Sequence, residues 1–340
     1  MTYRHQFLVI ALVLAAAFCL SACGGPASEP ADTGNRDRVA VQLSWVHTIE
    51  FAGFYMAEEK GYYSEENLAV ELRPGGLDAE GNVINAIDEV VAGRAEFGVF
   101  DGASLTIARN EGIPVVAIAA IYQRSPVAFV SLAEKGIVSP QDLIGANAAI
   151  DLASSGPLFF TLLANQHIDP ARVNVVQRTD FSIEPLISGE TDVIDGWLTN
   201  EVVALEMAGY ESSIILPSEY GLDMYPNLIF TTTDMIANHP DLVERFLRAT
   251  LRGMQSAIED PNTAAALVLN YNSERTLEVE TAAMQRSLPL LAPAGSRPGM
   301  MRADVWYVTY QLLADQGLID RTLDINQVYT MEFLNRIYGG

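Results

Sequence analysis

From Val39 to Thr232 the chain alternates short apolar runs with segments of helical spacing, and that alternation restricts it to layered α/β architecture. The first unit is Val39–Gly76. Val39, Val41 and Leu43 alternate with polar or small residues, as on a strand. Ala52–Lys60 reads as an amphipathic helix, and Gly61 can end it in the left-handed conformation. Leu68–Leu72 starts a second strand. Further strands are expected at Phe97–Phe100, Val115–Ile121, Val127–Leu132, Ala146–Asp151, Val173–Val176, Val193–Trp197 and Ile214–Leu216. Helices are expected between them at Val83–Ala92, Ala103–Asn110, Pro157–Asn165 and Glu201–Ala208. This order predicts mainly parallel sheets. From Leu228 the pattern changes to one strand, Leu228–Thr232, and then helices at Asp241–Glu259, Asn262–Asn270, Thr276–Leu288 and Arg302–Gln316.

Two crossings stand out: Tyr122–Val127, containing Pro126, and Asp223–Leu228, containing Pro226. One leaves a first lobe and the other returns to it. Lobe one is therefore expected to comprise residues 39–121 and 228–340, and lobe two the insert 122–227. Proline at either crossing is also ordinary loop chemistry. Interfaces between lobes favour ligand clefts, and a two-segment hinge permits closure around a ligand.

Residues 1–22 read as a lipoprotein signal peptide rather than as fold. Arg4 and His5 precede the apolar run Phe7–Leu20, which is shorter than the roughly 20 residues a membrane-spanning helix needs. Leu20-Ser21-Ala22-Cys23 resembles a lipoprotein box, in which Cys23 is lipidated and becomes the mature N-terminus. The plainer alternative is an ordinary signal peptide with a cysteine near its end. The second of the two cysteines, Cys19, lies inside the segment to be removed, so the mature chain has no disulfide to form. Residues 23–38, with Pro26, Ser28, Pro30 and Gly34, read as a flexible tether.

The formal net charge of −23 is dispersed along the chain. It argues against nucleic acid and anionic lipid head groups as partners, because phosphate binding needs basic patches. Its simplest role is solubility. Four histidines, one of them His5, offer no HExxH spacing, and no Cys-x-x-Cys, GxSxG, P-loop or GxGxxG motif is present. The sequence thus points to no metal, cofactor or catalytic group.

The order of several short motifs resembles the substrate-binding proteins of ABC importers, of the type II periplasmic-binding-protein fold. The nearer resemblance is to the group that binds the thiamine pyrimidine precursor, together with its pyrimidine-synthase-like relatives. Leu43-Ser44-Trp45, Phe51-Ala52-Gly53-Phe54-Tyr55-Met56-Ala57, Lys60-Gly61-Tyr62-Tyr63 and Pro74-Gly75-Gly76 carry it. So do Phe97-Gly98-Val99, Pro114-Val115-Val116-Ala117, Gly136-Ile137 with Ser139-Pro140, and Gly317-Leu318-Ile319-Asp320. Thiamine-precursor binders have Trp-x-Pro-Asn-x-x-His after the first strand, whereas here the stretch is Trp45-Val46-His47-Thr48-Ile49-Glu50-Phe51. The cysteine-rich motif of the pyrimidine-synthesising relatives is absent. The resemblance implies a lipid-anchored, extracytoplasmic, monomeric binding protein that docks onto a permease and its ATPase. Its ligand would be a planar heterocycle, riboflavin first and a thiamine pyrimidine second. A pyrimidine-synthase-like enzyme and a ligand-sensing module are the competing classes.

A cleft for a flat ring needs faces to stack on and a few oriented polar groups. The loop leaving a strand's carboxyl end is the expected place for both. Trp45, Phe51, Tyr55, Tyr122, Trp197 and Tyr225 lie near strand ends or crossings and are the candidate faces. Each is equally a candidate core residue, and Phe54 and Tyr62 fit helix packing better. The polar candidates are His47, Glu50, Asp101, Ser104, Gln123 and Asp195. Asp101 reads with equal weight as a helix cap. Ser154 and Ser155 precede a helix whose first N–H groups can hold oxygens, although Ser-Gly-Pro is also simply a good helix start.

Overall fold

Among the described residues, ten strands form two five-stranded sheets of matching internal order. The computed structural model describes residues 36–78, 83–152, 154–293 and 295–339. The expected signal peptide, the lipidation site Cys23 and the tether up to residue 35 lie outside them. The strands are β1 (Asp37–Gln42), β2 (Leu68–Arg73), β3 (Phe97–Phe100), β4 (Val115–Ala120), β5 (Val127–Leu132), β6 (Asn147–Ile150), β7 (Asn174–Gln177), β8 (Val193–Trp197), β9 (Ser212–Ile215) and β10 (Leu228–Thr232). One sheet has the order β2-β1-β3-β10-β4 and the other β7-β6-β8-β5-β9. β1 runs parallel to β2 and β3, while β10 runs antiparallel to β3 and β4. Likewise β6 runs parallel to β7 and β8, while β5 runs antiparallel to β8 and β9. Each sheet therefore has four strands in one direction and a fifth opposed, and the opposed strand is the one that follows a crossing.

All six residues of β4 are buried, which suits a strand of Val, Ala and Ile covered on both faces. β1 begins at Asp37, because Asp37 and Arg38 already pair with Leu68 and Ala69. The two crossings run against each other: Ile121 N–H donates to Asn227 O at 2.9 Å, and Ser125 N–H to the Asp223 carboxylate at 3.1 Å.

Helix Ala52–Glu59 packs against helix Pro240–Glu259 through glycines. A Cβ on Gly253 would stand 2.0 Å from Gly53 O and 2.7 Å from the Ala57 Cβ, so the two backbones meet where no side chain fits. Helix Ala303–Asp315 bridges the two cores. Val305 and Trp306 pack with the first sheet's cluster, whereas Leu312, Leu313 and Ala314 join Leu158, Phe159 and Leu162 of the second. The Gln316 amide donates to Pro157 O at 2.7 Å and Thr161 Oγ1 at 2.6 Å. Part of the segment expected with lobe one thus packs on the insert.

Four short helices escape the sequence pattern: Tyr62–Glu65, Glu184–Ile187, Thr233–Asn238 and Glu332–Tyr338. None is long enough to show a full apolar period. Gly61 does take the left-handed conformation (φ 73°), but the chain starts a new turn there rather than a strand. The helix expected from Val83 begins at Ala86, where the Asn85 side chain accepts from Ile87 N–H.

Gly253→Ala is expected to lower stability by about 2 kcal/mol through overpacking, outweighing the gain of about 1 kcal/mol in helix propensity. A urea midpoint equal to that of the wild type would show that the two helices separate freely.

Candidate functional site

The site follows from strand direction. Leu228, the first residue of β10, pairs with Phe100 and Ala120, the last residues of β3 and β4. Val127, the first residue of β5, pairs with Trp197, the last residue of β8. Both crossings are therefore attached at the carboxyl ends of the parallel strands, in both sheets. The loops after β1–β3 and β6–β8 leave those same strand ends, where open α/β folds bind ligands.

The loop after β1 buries three polar side chains, His47, Thr48 and Glu50. Trp45 is 37% exposed, and its carbonyl accepts from Gly75 N–H at 2.9 Å. A Cβ on Gly75 would lie 2.5 Å from Leu43 O, so this approach needs glycine. His47 is buried, and burial lowers its pKa, leaving the ring neutral at pH 7. Its Nδ1 lies 3.0 Å from the Tyr55 hydroxyl, and Tyr55 stacks on Tyr271 with ring centroids 4.3 Å apart. Asn272 donates to His47 O at 3.0 Å.

Glu50 is buried and doubly held. Thr48 Oγ1 donates to Oε1 at 2.7 Å, and Asn227 Nδ2 donates to Oε2 at 2.6 Å. Burial raises its carboxyl pKa; these two hydrogen bonds and Arg275 pull it down, and the Glu280 charge adds to the rise. Glu280, wholly buried in helix Leu277–Leu291, pairs with Arg275. Phe51 lies in the core of the first sheet's cluster.

Five other candidates, Asp101, Ser104, Tyr225, Tyr122 and Gln123, are engaged elsewhere. Asp101 accepts from Ser104 N–H at 2.8 Å and Ser104 Oγ at 2.7 Å, capping helix Gly102–Asn110. Tyr225 is buried against Trp306, its hydroxyl accepts from Arg302 N–H at 2.6 Å, and burial pushes its pKa up to about 12. Tyr122 is buried with its hydroxyl 2.9 Å from Ser287 Oγ, and its ring meets Trp197 edge-on at 6.0 Å. That last contact ties the outgoing crossing to the end of β8. Gln123 donates to Arg297 O at 2.6 Å.

In the second sheet the polar groups converge on one buried cation. Arg178, 3% exposed, follows β7. Its guanidinium donates to the carbonyls of Asp180 (3.0 Å), Ser182 (3.3 Å) and Asp195, and to Glu201 Oε1 at 3.4 Å. Asp195 lies 3.7 Å from it and accepts from Asp151 N–H at 3.1 Å. Glu201 accepts from Trp197 N–H at 2.8 Å. Ser154 Oγ donates to Asp151 at 2.6 Å, and Ser155 precedes helix Gly156–Asn165 without a side-chain cap bond. Asp195, Trp197, Ser154 and Ser155 are thus brought together, with His47, Glu50 and Tyr55 grouped in the other lobe. Sequence reasoning missed Arg178, Asn227, Glu201, Tyr271 and Glu280. Asn227, beside Pro226 in a crossing, was the one with a readable signal. Among the described residues no cluster of three or more metal-ligating side chains occurs.

The NMT1/THI5-like family model matches residues 48–264. The chain belongs to the NMT1/THI5-like family. It is 28% identical over 322 residues to the riboflavin-binding protein RibY of Chloroflexus aurantiacus, covering 91% of this chain and 90% of that protein. It is 26% identical over 312 residues to the formylaminopyrimidine-binding protein of Halalkalibacterium halodurans, covering 88% and 91%. The periplasmic aliphatic sulphonate binding protein SsuA from Escherichia coli superposes with a TM-score of 0.69 at 12% identity, over 89% of this chain and 99% of that one. The expected two-lobed periplasmic-binding-protein fold is therefore met.

Because burial raises the Glu50 carboxyl, the folded protein keeps that proton at pH values where the unfolded chain has released it. The stability tied to the proton is complete below the ordinary glutamate value of about 4.3, and is lost as pH rises through the higher folded value. Glu50→Gln removes the titration. Its stability relative to wild type is expected to rise as urea titrations move from pH 4 to pH 7. A constant difference across that range would show that Glu50 titrates alike in the folded and unfolded chains.

Proposed function

We propose that this chain is the substrate-binding lipoprotein of an ABC importer and that it takes a planar heterocyclic vitamin, riboflavin, between two lobes. The observation that carries the reading is the similarity to RibY along nearly the whole of both chains. Strand ends carrying an exposed Trp45 on one side and the Asp151–Ser155 and Trp197 loops on the other suit a flat ring with a polyhydroxyl tail. Trp45 stacks on the ring, Asp195, Ser154 and Ser155 orient polar groups, and His47, Glu50 and Tyr55 stiffen the loop that carries Trp45. Residues 1–22 are removed, Cys23 carries the lipid, and residues 23–38 tether a monomer to the extracytoplasmic membrane face. Residues 39–121 with 228–340 make one lobe, and 122–227 the other. The closed form docks onto a permease driven by a cytoplasmic ATPase, and the protein binds without catalysing. A second reading, a thiamine pyrimidine precursor, is favoured by the similarity to the formylaminopyrimidine-binding protein.

Titration of the purified protein with riboflavin is expected to quench flavin and tryptophan fluorescence together and to saturate at one equivalent. Binding of formylaminopyrimidine alone, measured by calorimetry, would move the protein to the second reading. Trp45→Ala is expected to weaken riboflavin binding about tenfold, the equivalent of about 1.4 kcal/mol. Unchanged affinity would remove Trp45 from the contact.

A further inference from the structure

Phe181 stands apart from every apolar cluster among the described residues. It is 52% exposed, and it belongs to none of the three cores or their partly buried fringes. Yet it is held firmly. Arg178, buried beneath it, donates to the carbonyls of Asp180 and Ser182, the residues on either side of Phe181. The guanidinium carbon lies 5.1 Å from the ring centroid, a cation–π contact on one side of the ring. Ser182 N–H donates to Asp180 Oδ1 at 2.8 Å and closes the turn. Thus residues 180–182 wrap a buried cation and present an apolar ring outward.

The location of this ring gives it a use. It follows β7, at the carboxyl end of the second sheet, which is the end attached to the crossings. Leu152, also exposed, follows β6 on the same end, and its N–H donates to Gln177 at 3.1 Å. A half-exposed aromatic on a loop already fixed by two guanidinium hydrogen bonds adds little to the core. It does supply a rigid flat face with little conformational entropy left to lose on binding. Trp45 is its counterpart on the first sheet, likewise exposed, outside the core clusters and after a parallel strand.

We infer that Phe181 is the second stacking face of the site, so that a planar heteroaromatic ligand is clamped between one aromatic from each lobe. The inference rests on the proposed binding of a flat heterocycle and adds the lobe-two contact that selects for a wide, fused ring.

Affinity of the purified protein for riboflavin, read by flavin quenching, tests it. Phe181→Ala is expected to weaken binding about tenfold, while Phe181→Trp stays within about threefold of wild type and shows indole emission quenched by the flavin. Tyr210→Ala is the control. Tyr210 is exposed before the amino end of β9, away from the crossings, and its loss should leave affinity unchanged. Equal thermal midpoints of Phe181→Ala and wild type separate lost contact from lost fold. Wild-type binding with Phe181→Ala within twofold would overturn the Phe181 assignment alone. Failure of the wild type to bind either riboflavin or formylaminopyrimidine would overturn the ligand reading and the clamp together.

Discussion

The hydrogen bond from Asn227 to Glu50 ties the crossings to the loop after β1. Asn227 sits in the returning crossing, and its carbonyl accepts from Ile121, the residue just before the outgoing one. Its side chain donates to a carboxylate buried beneath the loop after β1. One residue thus holds the two crossings together and fixes them to the loop that carries Trp45. A buried carboxylate is costly unless its oxygens find donors. Here Thr48 and Asn227 each serve one oxygen, so the pairing of the crossings and the shape of the loop are satisfied by the same group.

The second lobe solves the inverse problem with a cation. Arg178 has two carboxylates near it and three carbonyls as acceptors, and those partners come from the strand ends and loops of β7 and β8 and from helix Glu201–Met207. A guanidinium fork suits this task because its donors are planar and fixed in direction. The strand-end loops of both sheets are therefore organised around a buried ionisable group, the Glu50 carboxyl after β1 and the Arg178 guanidinium after β7, in a chain whose overall charge is −23. The dispersed acidity of the surface says nothing of this arrangement.

The strands were legible because burial on two faces leaves dense apolar runs: β4 is VVAIAA and β10 begins LIF. The crossings were legible through Pro126 and Pro226. The aromatics at strand ends were legible as positions but not as environments. Tyr122 and Tyr225 turned inward to Ser287 and to Arg302 N–H, while Trp45 remained outside. Nothing local distinguishes these fates, because each depends on a partner far along the chain. Arg178 was illegible for the same reason. A single arginine after a strand has no period, and its value comes from Asp195 and Glu201, which only the fold brings near. Asp101 was readable as a cap because its partner, Ser104, is three residues away.

The place of β10 between β3 and β4 has a consequence for the order of assembly. β5 to β9 lie in one uninterrupted stretch, so the second sheet has all its strands as soon as Ile215 has been made. The first sheet does not. β3 and β4 have no common neighbour until Leu228–Thr232 arrives, and until then β4 has an unpaired edge on the side that faces β3. Closing that gap joins residues far apart in sequence, which makes it a late and entropically expensive step. The inserted lobe is in this sense the older partner of each newly made molecule, and the strand that returns from it is the keystone that shuts the other.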